Sequence, residues 1–195
     1  MANAALELNR CSRTRAFTLT ELAIVLGIIG VIISAIWSAA GSVYENNRTK
    51  RASEQVVQIV NGLRAMYGSH QVDTGPWATD ITSLAINNDI VPADMYKTGG
   101  TTAFGPWSGS TVNIYSGSTW NVIGIQYSGL SQAACNQFAD ALIPAGNSQL
   151  VYAAIAATGS WFSINGNTPY WTTTQINGYC VAGNGNYVQL LYSMN

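Results

Sequence analysis

Few side chains in this sequence can do chemistry, and their spacing excludes most of it. His70 is the one histidine, and Cys11, Cys135 and Cys180 are the three cysteines. That is little material for a zinc or iron site, and His70 reads as a solvated loop residue. Asp73, Asp80, Asp89 and Asp94 are spread through loops and caps without the spacing of a calcium loop. Ala182-Gly183-Asn184-Gly185 opens no helix after a strand, so it supports no phosphate loop. The chain is therefore expected to be no enzyme and to hold no cofactor or metal. The acid that demands an explanation is Glu21, placed directly before an apolar run. A carboxylate there is unfavourable by on the order of 3 kcal/mol at a helix centre and by less near the interface.

The element that positions Glu21 is residues 22–44, LAIVLGIIGVIISAIWSAAGSVY, which carry no charge. As a helix they extend about 35 Å, enough to cross a hydrocarbon core of about 30 Å. Arg10, Arg13 and Arg15 precede the run, which places that end in the cytoplasm. Arg48, Lys50 and Arg51 follow it, so charge alone does not decide orientation. A plain membrane anchor, or a signal peptide cut after Ser38-Ala39-Ala40, fits the run but gives Glu21 no use.

The 195 residues suit one domain with an appendage. The formal net charge is −1, and charged residues make up 9% of the chain, so no basic excess points to nucleic acid. Ten of the charged residues lie within the first 54 positions, and after Lys97 the only one is Asp140. The remainder is written in Gly, Ser, Thr, Asn, Gln, Tyr and Trp, a wettable but weakly self-repelling surface that suits close-packed subunits.

One long helix is expected from Phe17 to about Tyr67, near 77 Å if straight. Val56, Ile59 or Val60, Leu63 and Tyr67 form one stripe of its second half, suited to covering a sheet. Arg48, Glu54, Gln55, Gln58 and Arg64 fall on other faces. Gly27, Gly30 and Gly41 permit close helix packing or, alternatively, mark where the helix can bend or melt when it leaves the bilayer, and Gly68 is a plausible stop. Residues 69–195 read as one α/β module. It has a short helical patch over 80–96 broken at Pro92, and strands at Thr111–Ser116, Trp120–Tyr127 and Tyr187–Tyr192. A helix from Ser131 to Leu142 carries Ser131 as N-cap. Asn165-Gly166, Asn177-Gly178 and Asn184-Gly185 mark turns. Trp77, Trp107, Trp120, Trp161 and Trp171 suit core packing. Alternatively, Trp161, Tyr170 and Trp171, among Asn and Thr residues, form an adhesive or sugar-stacking surface.

The order of basic stretch, Ala16, Phe17-Thr18-Leu19-Thr20-Glu21 and apolar run resembles the type IV pilin family. The resemblance implies that a prepilin peptidase cuts between Ala16 and Phe17, and that Phe17 becomes the N-methylated first residue. It also implies that Glu21 is the family's glutamate, paired with the Phe17 amine of a neighbouring copy during assembly. Ala16 departs from the usual Gly. The 16-residue leader suits the type IVb branch, whereas Phe as first mature residue is more usual in type IVa. GIQYSGLSQAACNQFADAL, INNDIVPADMY and AFGPW resemble toxin-coregulated and conjugative type IVb pilins. With Cys11 lost in the leader, Cys135 and Cys180 are expected to form a disulfide outside the cytoplasm.

The implied fold is α+β, the type IV pilin ladle: a long N-terminal helix on an antiparallel sheet with a disulfide-bounded C-terminal region. The implied domains are a leader (1–16), a long helix (17–68, with 17–44 as membrane and filament-core segment) and a globular head (69–195). The implied protein is a structural subunit of a type IVb pilus for adhesion, aggregation or conjugative contact. Its expected partners are copies of itself, a prepilin peptidase, an inner-membrane assembly platform, an assembly ATPase and a host or cell-surface receptor. It starts in the inner membrane and ends in an extracellular filament on a Gram-negative cell. Minor pilin or tip adhesin, type II secretion pseudopilin, and secreted or anchored enzyme remain as alternatives.

Overall fold

A computed structural model describes residues 18–68, 79–117, 122–143, 150–156, 163–165 and 178–194. Helix α1 runs from Leu19 to Tyr67. The chain divides into two compact units within this helix, one ending at Ser42 and the other starting at Val43.

In the first unit the helix is exposed on every side, including Leu22, Ile24, Leu26, Ile28, Val31, Ile32 and Trp37. It is long and apolar enough to cross a membrane. An all-round apolar helix leaves no preferred face, so its solvent must itself be apolar. The hydroxyls of Ser34 and Ser42 donate to the carbonyls of Val31 and Ala39, at 2.8 and 2.9 Å. Those bonds satisfy these two hydroxyls without a partner from outside the helix.

In the second unit α1 becomes one-sided. Thr49, Ala52, Gln55, Val56, Ile59, Val60 and Leu63 are buried, a helical spacing that turns one stripe to the core. The helix ends where Gly68 adopts φ +52° and donates its N–H to the Arg64 carbonyl at 2.8 Å, a left-handed cap that glycine enters without a Cβ penalty. Gln55 differs from the sequence expectation. It lies on the buried stripe because Tyr127 and Asp94 supply partners for its amide.

The strands of this unit are β1 (Thr79–Asp80), β2 (Ala103–Phe104), β3 (Thr111–Gly117), β4 (Val122–Leu130), β5 (Leu150–Ala156), β6 (Ser163–Asn165) and β7 (Asn186–Ser193). They form one sheet in the order β1-β3-β4-β7-β5-β6, with β2 also on β3, and every pairing is antiparallel. The register aligns apolar side chains in rows. Ile114, Ile125, Leu190 and Ala153 make one row, and Val112, Tyr127, Val188 and Ile155 the next. All eight lie in one core cluster with the buried stripe of α1, which is how alternation on each strand becomes a common face. The open edge of β3 is closed between its two short partners. Ile81 donates its N–H to the Ile114 carbonyl, and the Thr82 hydroxyl accepts the Ile114 N–H, both at 2.8 Å. An edge so covered offers no template for strand addition.

The patch over 80–96 holds helix α2 (Thr82–Asn87) and a 3-10 turn at Ala93–Met95 after Pro92. Helix α3 spans Gln132–Leu142, and the Ser131 hydroxyl caps it by accepting the Ala134 N–H at 3.2 Å. Its buried face is Ala134, Cys135, Phe138 and Ala139. Just before it, the β4–β7 register shifts between Ser128 and Leu130, and Gly129 takes φ +75°. A Cβ there would come within 2.7 Å of the Gly109 carbonyl oxygen, so the bulge needs glycine for both conformation and space. Cys135 and Cys180 are joined by a disulfide with Cα atoms 5.9 Å apart. The architecture is α+β: a long N-terminal helix, an antiparallel sheet and a disulfide near the C-terminus.

Candidate processing and assembly site

The start of α1 is organised by Thr18 and Glu21. The Thr18 N–H and hydroxyl donate to Glu21 Oε2 at 3.1 and 3.0 Å, and the Glu21 N–H donates back to the Thr18 hydroxyl at 3.3 Å. This reciprocal arrangement is a capping box, which satisfies backbone donors that a helix start otherwise leaves open. Both residues lie downstream of the Ala16–Phe17 bond, so the box contains nothing that cleavage there would remove. The negative carboxylate also sits where the helix dipole favours it. Glu21 thus has a use within a single copy, a role that the membrane argument misses although the T-x-x-E spacing is written in the sequence. Ala16 and Phe17 lie outside the described residues.

Where α1 enters the second unit, a polar collar ties it to the head. Glu45 accepts from Arg48 at 3.1 Å through one oxygen and from the Trp107 indole N–H at 3.1 Å through the other. The Arg48 guanidinium lies 4.2 Å from the centre of the Tyr44 ring and donates to its hydroxyl at 2.9 Å. Trp107 itself is buried and meets Tyr127 and Phe138 edge-on, so its role is core packing with a satisfied N–H. One turn further on, Arg51 donates two hydrogen bonds to Asp94 Oδ2 at 2.9 and 2.7 Å, and Gln55 adds a third at 3.1 Å. Partial burial works to raise the Asp94 carboxyl, but the bonds from Arg51 and Gln55 outweigh it and hold the group below its ordinary value. Tyr127, inside the core against Ala52 and Gln55, is pushed well above the ordinary phenol range by burial, with Asp94 adding to the shift.

The C-terminal part of the head is fixed by the disulfide and by Asn186. The fully buried Asn186 amide accepts from the Val181 N–H and donates to the carbonyls of Leu130, Val181 and Gly183. Gln132 donates to the Cys180 carbonyl at 2.9 Å. These bonds hold the exposed loop at 181–185 to the start of α3. Trp161, Tyr170 and Trp171, together with His70, Trp77 and Trp120, lie outside the described residues. No cluster of three His, Cys, Asp or Glu side chains suited to a metal occurs among the described residues.

Two family models match the chain. One, described as PilS N terminal, covers residues 46–193, and the other, the prokaryotic N-terminal methylation motif, covers residues 11–37. No curated protein and no solved structure matches. The methylation motif implies processing by a prepilin peptidase, a membrane-anchored precursor and later assembly into a surface pilus. The motif begins ahead of the helix, and the PilS match takes in every described strand of the sheet, so the two together reach into both units. The chain belongs to the PilS N-terminal family and is a structural subunit of the type IV pilin kind.

Proposed function

We propose that this chain is the major subunit, or a close analogue of it, of a type IVb pilus on a Gram-negative cell. In this reading residues 1–16 are a leader removed between Ala16 and Phe17. Phe17 is then N-methylated, residues 17–68 form the long helix, and residues 69–195 form the head. The precursor waits in the inner membrane, and a platform and a cytoplasmic ATPase move it into a helical filament that serves adhesion, aggregation or conjugative contact.

The observation that carries the reading is the first unit's helix. It is apolar and exposed on all sides, yet one carboxylate sits in its first turn. Buried beside identical helices, that carboxylate needs a cation, and the amine freed at Phe17 of a neighbour supplies one. The type IVb assignment is supported by the 16-residue leader and by the strings around Cys135 and Pro92.

The test is the mass and first residue of the chain recovered from cells. The reading expects Phe17 at the start, carrying one methyl group of about 14 Da. A chain that keeps its first sixteen residues, or begins near Gly41, overturns it.

A further inference from the structure

We propose that the head carries a binding groove for a neutral saccharide, set between the outward edge of α1 and the loop after α2. The groove has a volume of about 620 Å³ and is lined by Gln58 and Asn61 on one side and by Asn88, Asp89, Ile90 and Tyr96 on the other. That volume falls in the usual range of small-molecule sites, about 300–1,000 Å³, but the groove is open to solvent, so a short saccharide would lie along it with one face exposed.

The walls are fixed. Gly62 lets the loop come close: a Cβ there would meet Ile90 Cγ2 at 2.8 Å. Asn88 closes α2 by donating through Nδ2 to the Leu84 carbonyl at 2.8 Å, which leaves its side-chain oxygen as a held acceptor. Asp89 follows in the left-handed region at φ 55°, with its N–H on the Ile86 carbonyl at 3.1 Å. Val91 and Met95 anchor the loop in the core. Tyr96 is partly buried against that core, and its backbone bridges to Ala103, so the ring is a supported surface.

The lining selects the class of ligand. Gln58 and Asn61 are exposed amides, and they and the Asp89 carboxylate make no hydrogen bond or ion pair among the described residues. The groove has one carboxylate and no cation, which disfavours phosphate, sulfate and acidic sugars. Ile90, Val91, Pro92 and Ala93 give too little apolar surface for a lipid chain. Carboxamides and a carboxylate donate to and accept from adjacent hydroxyls, and a phenol ring can lie against the C–H face of a pyranose. A neutral, hydroxyl-rich ring satisfies every group present.

The inference does not depend on filament assembly, so it can be tested on single copies. Detergent-solubilised full chain is applied to an array of immobilised neutral di- and trisaccharides, with sialylated and sulfated counterparts beside them. The expected result is binding to neutral members, weakened at least about tenfold by Gln58→Ala with Asn61→Ala, and weakened also by Asp89→Asn, which keeps a residue suited to the left-handed backbone. Thermal melts of the variants should match the unsubstituted chain. No binding to any neutral member overturns the proposal, as does stronger binding to the acidic ones. Binding that both sets of substitutions leave unchanged overturns it too. So does an array that stays blank while the double substitution abolishes filaments, since the groove would then be a contact between copies.

Discussion

Three substitutions at the start of α1 separate the two roles open to Glu21. Thr18→Ala removes the hydroxyl that both donates to Glu21 Oε2 and accepts the Glu21 N–H, leaving the charge in place. Loss of such a cap destabilises a helix by about 1 kcal/mol. Glu21→Gln keeps a side chain able to complete the capping box but deletes the charge. Glu21→Val deletes both. If Glu21 pairs with a neighbour's amine in an apolar filament core, removing its charge strands that amine, at about 3–5 kcal/mol per contact. At 1.4 kcal/mol per tenfold, each addition of a subunit weakens by roughly 10²- to 10³-fold or more. The assay is the ratio of pilin in sheared surface filaments to total pilin, with the mass of the mature chain confirming that processing is intact. Thr18→Ala should stay within a few fold of the unsubstituted chain, whereas Glu21→Gln and Glu21→Val should both leave almost no filament. Filaments at the normal level from Glu21→Gln would refute the charge argument and leave Glu21 as a capping residue.

Replacing Cys135 and Cys180 together by alanine opens a loop spanning 45 positions. Loop-closure entropy puts that at about 4 kcal/mol, or a melt lowered by roughly 8–16 °C for a chain of this size; a fall under about 4 °C in the full chain would contradict the estimate. The Asp94 carboxyl is held below its ordinary value, so its contribution to stability is complete above the unfolded value of about 3.9 and disappears as the pH falls through the lower folded one. Arg51→Ala should therefore flatten stability against pH below about pH 4, with only about 0.3–1 kcal/mol lost at neutral pH because the pair is largely exposed; an unchanged acid limb would count against the pair. Gly62→Ala gains about 1 kcal/mol of helix propensity but drives a methyl to 2.8 Å from Ile90 Cγ2, a clash of about 1–3 kcal/mol. It should lower the melt alone and raise it in an Ile90→Ala background; a rise in both would show that the loop yields, and a fall in both that the clash lies elsewhere.

The long helix, its stop at Gly68 and the Ser131 cap were legible because each is a local signal: an uninterrupted apolar run, a glycine after the last periodic residue, a hydroxyl three residues before the N–H it accepts. Strands β3, β4 and β7 alternate, and alternation survives in any sheet that buries one face. Strand β5, LVYAAIA, has no such alternation. It is an interior strand between β7 and β6, and a short apolar run does not by itself distinguish strand from helix. Strands β1 and β2, two residues each, exist only as cover for the edge of β3, so no local pattern could announce them. Gln55 was misplaced because residue type alone sends an amide outward, while its partners Tyr127 and Asp94 are far along the chain. In the site itself, Glu21 stood out by charge, but its bond to Thr18 needed a second question: what closes the helix as well as what the membrane tolerates.

The two units rely on different physics, and the charge distribution follows that division. Every charged side chain described in the head up to Lys97 lies on α1 or on the segment leading to β3, where Glu45, Arg51 and Asp94 join helix to loop. Beyond it the sheet carries uncharged polar rows on the face opposite the apolar one. Asn113 stands opposite Gln126, and Gln126 opposite Gln189; Thr111, Ser128 and Tyr187 form the adjacent row. Amides and hydroxyls add no charge, so apart from the Asp80 carboxylate that accepts from Asn113 the described part of this face has little to repel an identical one. If the helices of the first unit pack together as proposed, a strong electrostatic demand falls on Glu21, which would then lie in apolar surroundings where salt screens little. A polymer built this way would owe its register to a single carboxylate per copy, and its head would be left free to present loops and grooves instead of charges.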